Sequence, residues 1–194
     1  ILLEPYGGQI LGLSVGQTTA LTALLAAGGL TGFLLAAHVL GRGADPYRIA
    51  ALGTLVGIVA FTAVIFAAPF ESALLFAFGV MLIGLGGGLF AHATLTAAMS
   101  MARESQIGLA LGAWSAAQAT AAGAAIAVSG GIRDLVSGLA AQGKLGPVIN
   151  GPATGYGAVY LIEIALLFAT LAAIGPLVRS ADESSATNSS DFGL

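Results

Sequence analysis

The sequence predicts an all-α fold, a polytopic bundle of about five transmembrane helices, on three observations. Of 194 residues, 57% are hydrophobic and 8% are charged, whereas an ordinary soluble domain carries roughly 25% charged residues. Such a chain cannot cover a water-facing surface, so its solvent is lipid or other membrane helices. The charges fall in clusters, and the runs between them reach the ~20 residues that a bilayer core requires. Glycine is abundant, 29 in all, which suits close helix packing in a membrane better than it suits soluble helices.

The elements follow from the charge clusters. Residues 1–13 read as the end of a truncated transmembrane helix and a connection, because Glu4 and Pro5 precede a long uncharged run. The apolar part of that run, 14–40, is the first complete span. It ends at GRGADPYR (41–48), with two glycines, three charges and Pro46. Residues 49–68 form the second span, closed by Pro69 and Glu71. Residues 72–102 form the third, closed by Arg103 and Glu104. Residues 107–129 form the fourth, and 156–178 the fifth, interrupted only by Glu163. The bundle thus occupies 14–178, with an extramembrane connection at 130–155. In that connection Ile132, Leu135, Val136 and Leu139 repeat at helical spacing. This fits either a short helix on the membrane surface or an extension of the fourth span into water. Residues 179–194 are polar and acidic and read as a disordered tail.

Glycines four apart occur in the first four spans, as Gly28/Gly32, Gly53/Gly57, Gly84/Gly88 and Gly108/Gly112. Chance can produce any one pair at this glycine content; together they argue for a tight bundle. Arg42, Arg48, Arg103 and Arg179 fall on one side of the membrane, Arg133 and Lys144 on the other. The basic excess places the first side, and the C-terminus with it, in the cytoplasm. The net charge of −3 includes no basic run for nucleic acid, and there are no cysteines. The chain starts at Ile1 with no charged leader, as a segment inside a longer polypeptide would.

Two stretches carry a family resemblance. LLEPYGGQILGLSVGQTTALTA (2–23) and GPATGYGAVYLIEI (151–164) resemble the second half of the PucC/LhaA family, the bacteriochlorophyll-delivery branch of the major facilitator superfamily. The Glu-Pro-Tyr-Gly-Gly string is the more specific of the two. The resemblance covers nearly the whole chain and implies the C-terminal half of a major-facilitator-type fold, from the end of its seventh helix to its twelfth. The loop at 41–48 resembles a degraded form of that superfamily's cytoplasmic loop signature. Gly41 and Asp45 keep its spacing, and Pro46 replaces the usual basic residue. Membership implies a multi-pass protein of the intracytoplasmic photosynthetic membrane that assembles light-harvesting antennae. Its implied cofactor is bacteriochlorophyll. Its implied partners are antenna polypeptides or a reaction-centre–antenna complex.

An ionisable residue inside a span costs at least ~2.5–3.5 kcal/mol when acidic and central, so the few present are candidates. Glu163 is either a polar contact to pigment or partner, a proton-coupling site, or a carboxyl bridging two helices; bridging weighs slightly more. Glu4 is similar, on an incomplete helix. His92 could ligate the magnesium of a bacteriochlorophyll. Helical side chains lean toward the N-terminus, so such a ligand would lie over Gly88, and a small residue four before a histidine resembles the antenna pigment pattern. The competing and heavier reading is a histidine bonded to a neighbouring helix, with glycines serving packing. His38 has Leu34 in the crowding position and lies three residues before Gly41, which makes it interfacial. Trp114, Tyr156 and Tyr160 sit toward span ends, where aromatic belts occur. Gln118 and Thr120 face a cavity or tie helices together.

No nucleophile–base pair, phosphate loop or metal cluster is visible in the sequence, so enzyme activity is not expected. The reading that results is an antenna assembly factor. The alternatives are a secondary transporter of a small solute, which would build its site between two halves, and a structural subunit packed beside an antenna ring.

Overall fold

A computed structural model describes residues 2–145 and 153–191, with side chains through Val178. Six α-helices follow in order: α1 (Leu3–Ile10), α2 (Val15–Leu40), α3 (Pro46–Ala67), α4 (Ala73–Ser100), α5 (Ile107–Ala141) and α6 (Thr154–Asp191). A single 3₁₀ turn at Glu104–Gln106 leads into α5, and no strand occurs among the described residues. Helices α2 to α6 are all long and apolar enough to cross a membrane, α6 as far as Val178. At 1.5 Å per residue the 26 residues of α2 reach about 39 Å, more than the ~30 Å hydrocarbon core. Leu30, Leu34, Val59, Leu166 and Phe168 are each more than half exposed. Only hydrocarbon solvates such a surface, and the chain is a multi-pass membrane protein.

Local chemistry sets the helix ends where the charge clusters place them. Ser14 and Gln17 form a reciprocal capping box at the start of α2: Ser14 N–H donates to Gln17 Oε1 at 2.8 Å, and Gln17 N–H donates to Ser14 Oγ at 3.3 Å. Asp45 caps α3 by accepting from Tyr47 N–H at 3.0 Å, with Pro46 at the first helical position. Ser72 caps α4 by accepting from Leu75 N–H at 3.1 Å. The turn before it places Glu71 at φ 47°, a conformation that non-glycine residues rarely adopt.

Glycine then sets the packing. Along the α2–α4 seam an added Cβ on Gly28 would overlap Met81 O, and one on Gly32 would overlap Leu85 O. From the other side, Gly84 would overlap Leu25 O and Gly88 would overlap Gly29 O. The α3–α4 seam is closed by Gly53 and Gly86, each of whose added Cβ atoms would stand 2.7 Å from the other's carbonyl oxygen. Gly57 faces Leu167 of α6 instead. The fourth pair does not follow: Gly108 and Gly112 meet nothing within 4 Å among the described residues. These two glycines face away from the neighbouring helices, so they carry no seam.

Two further stretches are helical. Of the two readings of 130–155, the extension is the one seen: α5 runs unbroken to Ala141, because the alanine-rich stretch holds no proline before Pro147. Residues 146–152 lie outside the described residues. Helix α6 continues to Asp191, into the segment read as a disordered tail, where neither glycine nor proline interrupts 177–191.

Candidate functional sites

His92 and Gly88 lie on the α2-facing side of α4. Gly88 is buried, and besides meeting Gly29 O its added Cβ would come to 2.8 Å from Phe33 N. The α2 backbone therefore occupies the ground over which a macrocycle on His92 would have to lie. Gly88 serves packing. The His92 ring stands edge-on to Phe33 at 4.3 Å and 76°, and its Nδ1 is buried with no hydrogen-bond partner. The interhelical bond of the competing reading is thus not made through Nδ1 either; the ring is an aromatic wedge in the seam.

The other intramembrane polar residues are dispersed. Glu163 is half-buried on α6, with Oε2 buried and unpaired. Glu4 is exposed and accepts a hydrogen bond from Thr22 Oγ1. It borders a cavity of about 380 Å³ between α1, α2 and α4, with Leu21, Leu25 and Val80 among its walls. His38 is exposed in the last turn of α2, where the helix dipole favours it. Gln118 lines a cleft of about 260 Å³ between α4 and α5 with Phe90, Thr94, Trp114, Ala117 and Ala121. Trp114 is no belt residue: its Nε1 donates to Thr94 Oγ1 at 3.3 Å and ties α5 to α4.

Tyr156 and Tyr160 are not in a belt either. Each is 1% exposed, packed with Tyr6 at the end of the bundle where α1 stops and α6 begins. Tyr6 stands edge-on to both, at 5.4 and 5.5 Å, and tilted against Phe76 at 5.3 Å. Ring pairs in this geometry add ~0.5–1.5 kcal/mol beyond the area they bury. Their hydroxyls are placed as buried phenols require: Tyr160 donates to Leu2 O at 3.3 Å and Tyr6 to Val64 O at 3.4 Å.

A polar group caps this aromatic cluster. Arg133 Nη2 donates to Gln9 Oε1 at 2.7 Å and to Tyr156 Oη at 2.9 Å, while Tyr156 Oη donates to Gln9 Oε1 at 2.7 Å. Nη1 pairs with Asp134 Oδ1 at 2.7 Å. The guanidinium also lies 4.8 Å over the Tyr156 ring, where the π face attracts a cation. One arginine thereby joins α1, α5 and α6. Gly155 completes the join, since an added Cβ would stand 2.6 Å from Arg133 O. This group is absent from the sequence-based expectations. Its available signal was the spacing of Tyr6 and Gln9, and of Tyr156 and Tyr160, which places each pair on one helix face.

The two stretches that carry the family resemblance, one around Tyr6 and one around Tyr156, therefore meet in one packed unit. A family profile described as PUCC protein matches residues 1–182. The chain belongs to this family. Among PUCC relatives, a Rhodobacter capsulatus protein described as the uncharacterized protein in the puhA-bchM intergenic region is 58% identical over 179 residues, covering 92% of this chain and 37% of that protein. Protein PucC of Cereibacter sphaeroides is 48% identical over 183 residues, covering 93% and 38%. The bacteriochlorophyll synthase 44.5 kDa chain of Rhodobacter capsulatus is 32% identical over 145 residues, covering 70% and 33%. The chain spans about a third of the length of these relatives. No solved structure matches it.

Proposed function

We propose that this PUCC chain acts in the assembly of photosynthetic complexes, binding or delivering bacteriochlorophyll, antenna polypeptides or both. The observation that carries the reading is the family match across residues 1–182. A relative named for bacteriochlorophyll synthesis supports it. The geometry suits a non-enzymatic handler of apolar cargo. Its surface is hydrocarbon-soluble, and its clefts are walled mainly by glycine, alanine, aliphatic and aromatic residues, with threonines and Gln118 among them. On this reading the protein sits in the intracytoplasmic photosynthetic membrane, with its C-terminus in the cytoplasm and antenna or reaction-centre–antenna complexes as partners.

The test is deletion of the gene in its phototrophic host. The expected result is a several-fold fall in near-infrared antenna absorption at unchanged pigment synthesis, restored by the full-length gene. Unchanged antenna levels, with no antenna polypeptide recovered alongside the tagged protein, would remove the reading. The transporter alternative needs polar groups converging on one cavity. Here Gln118 lines the α4–α5 cleft, whose walls do not include Glu163.

A further inference from the structure

One carboxyl group, that of Glu4 on α1, stands in hydrocarbon on an exposed face. Its partner Thr22 lies eight residues beyond the Ser14 cap of α2, about 12 Å along the helix. Helix α2 exceeds the ~30 Å hydrocarbon core by about 4–5 Å at each end, so Thr22 and Glu4 sit several ångströms inside it. A carboxylate offers about four lone-pair sites, and among the described residues the Thr22 hydroxyl is the donor that meets them. Lipid tails carry neither a donor nor a cation, and headgroups lie outside this depth. The face therefore suits an occupant that brings one.

Its surroundings define the rest of that occupant. Glu4, Pro5 and Thr22 form the exposed rim of the cavity of about 380 Å³, and the buried Leu3, Leu21 and Val80 form its floor. Gly8, one turn beyond Glu4, and Thr19 and Ala26, one turn to either side of Thr22, are exposed too. None carries a bulky side chain, whereas Leu30 and Leu34 project from α2 farther along. A broad, flat body can rest on this face and still reach the carboxylate, with an apolar edge against the floor. The ground beside His92 is the reverse, since the α2 backbone covers it.

The donor atom selects the chemistry. Carboxylate oxygen is a hard ligand of the kind that magnesium prefers over imidazole nitrogen. A magnesium tetrapyrrole is an apolar plate with an axial position open at its centre. It thus brings a Lewis acid for the oxygen and apolar area for the floor.

Resting on the function proposed above, we propose that Glu4 is an axial ligand for the magnesium of a bacteriochlorophyll held on the α1–α2 face. The second carboxylate oxygen gives a lone pair to the metal in place of a solvent ligand, and Thr22 holds the first.

The experiment uses the full-length protein in lipid nanodiscs, titrated with bacteriochlorophyll and with bacteriopheophytin, the analogue that has two protons in place of magnesium. Outer partners of metal ligands are worth roughly 10–100-fold in affinity, so the ligand itself should give wild type at least about a tenfold preference for the magnesium pigment. Glu4→Ala should abolish that preference and leave bacteriopheophytin binding unchanged, which also shows the variant to be folded. Glu4→Gln, which keeps a carbonyl oxygen, should retain part of the preference, and His92→Leu all of it. Equal binding of both pigments by wild type, or a full preference in Glu4→Ala, would overturn the Glu4 site while leaving pigment handling standing. A preference lost in His92→Leu and kept in Glu4→Ala would move the ligand to His92. Binding of neither pigment would overturn both proposals. A photoreactive residue at position 26 that captures another transmembrane segment, undiminished at saturating bacteriochlorophyll, would assign the face to a protein helix and overturn the site.

Discussion

Replacing Gly88 by alanine tests the α2–α4 seam at the position the sequence offered as pigment ground. The new methyl carbon would overlap Gly29 O and stand 2.8 Å from Phe33 N. Carbon–oxygen contacts settle near 3.3–3.6 Å, so the two helices must part by roughly 1 Å. A gap of 0.5–1 Å forfeits a quarter to a half of each facing dispersion well of ~0.1–0.2 kcal/mol; over some twenty facing atom pairs this is roughly 0.5–2 kcal/mol. The control is Gly108→Ala, whose methyl meets nothing and which gains up to about 1 kcal/mol of helix propensity. Reversible unfolding in mixed micelles, followed by circular dichroism, reads the difference directly. Helix propensity rises equally in both, so the two variants should separate by the packing loss alone, about 0.5–2 kcal/mol, with Gly88→Ala the weaker. If they unfold together, the close α2–α4 approach is wrong, and the ground beside His92 is open after all.

Three further outcomes follow from the geometry. Arg133→Leu leaves Gln9 Oε1 and Tyr156 Oη without their guanidinium partner and should destabilise the protein by about 1–3 kcal/mol. Arg133→Lys should restore only part of this, because an ammonium cannot reproduce the planar fork. Protease sensitivity near residues 10–14 should rise alongside in both variants, and a neutral Arg133→Leu would count against the junction. Asp45→Ala removes the cap on α3 and should lose about 1 kcal/mol in the same micelle assay, with Asp45→Asn near wild type. Trp114→Phe loses the bond to Thr94 and should cost about 0.5–1.5 kcal/mol in the same micelle assay.

The membrane bundle was legible because charge placement and helix boundaries share one physical cause. Asp45 and Ser72 stand beside charge clusters, and Ser14 stands at the start of an apolar run; each caps the helix that follows. The glycine seams were legible as spacing, yet spacing alone could not separate Gly84 and Gly88, which touch α2, from Gly108 and Gly112, which touch nothing. Contact depends on which way a helix faces, and α2 to α4 are nearly uniformly apolar, so no polar stripe marks a face. The same blindness misplaced Tyr156 and Tyr160: proximity to a span end suggests a belt, but α1 folds over them and Gln9 and Arg133 take up the polar tip of Tyr156. Residues 9, 133 and 156 come together only through three helices, which no local pattern encodes. His92 was picked out as an intramembrane residue needing an explanation. The ground over Gly88 was misjudged, because a small residue admits a neighbouring helix as readily as a ligand.

The most direct measurement is the absorption spectrum of the protein purified from its photosynthetic membrane in wild-type and His92→Leu forms. The account predicts a near-infrared pigment band with the wild type, retained in His92→Leu. A colourless wild type, or a band lost in His92→Leu, would contradict it.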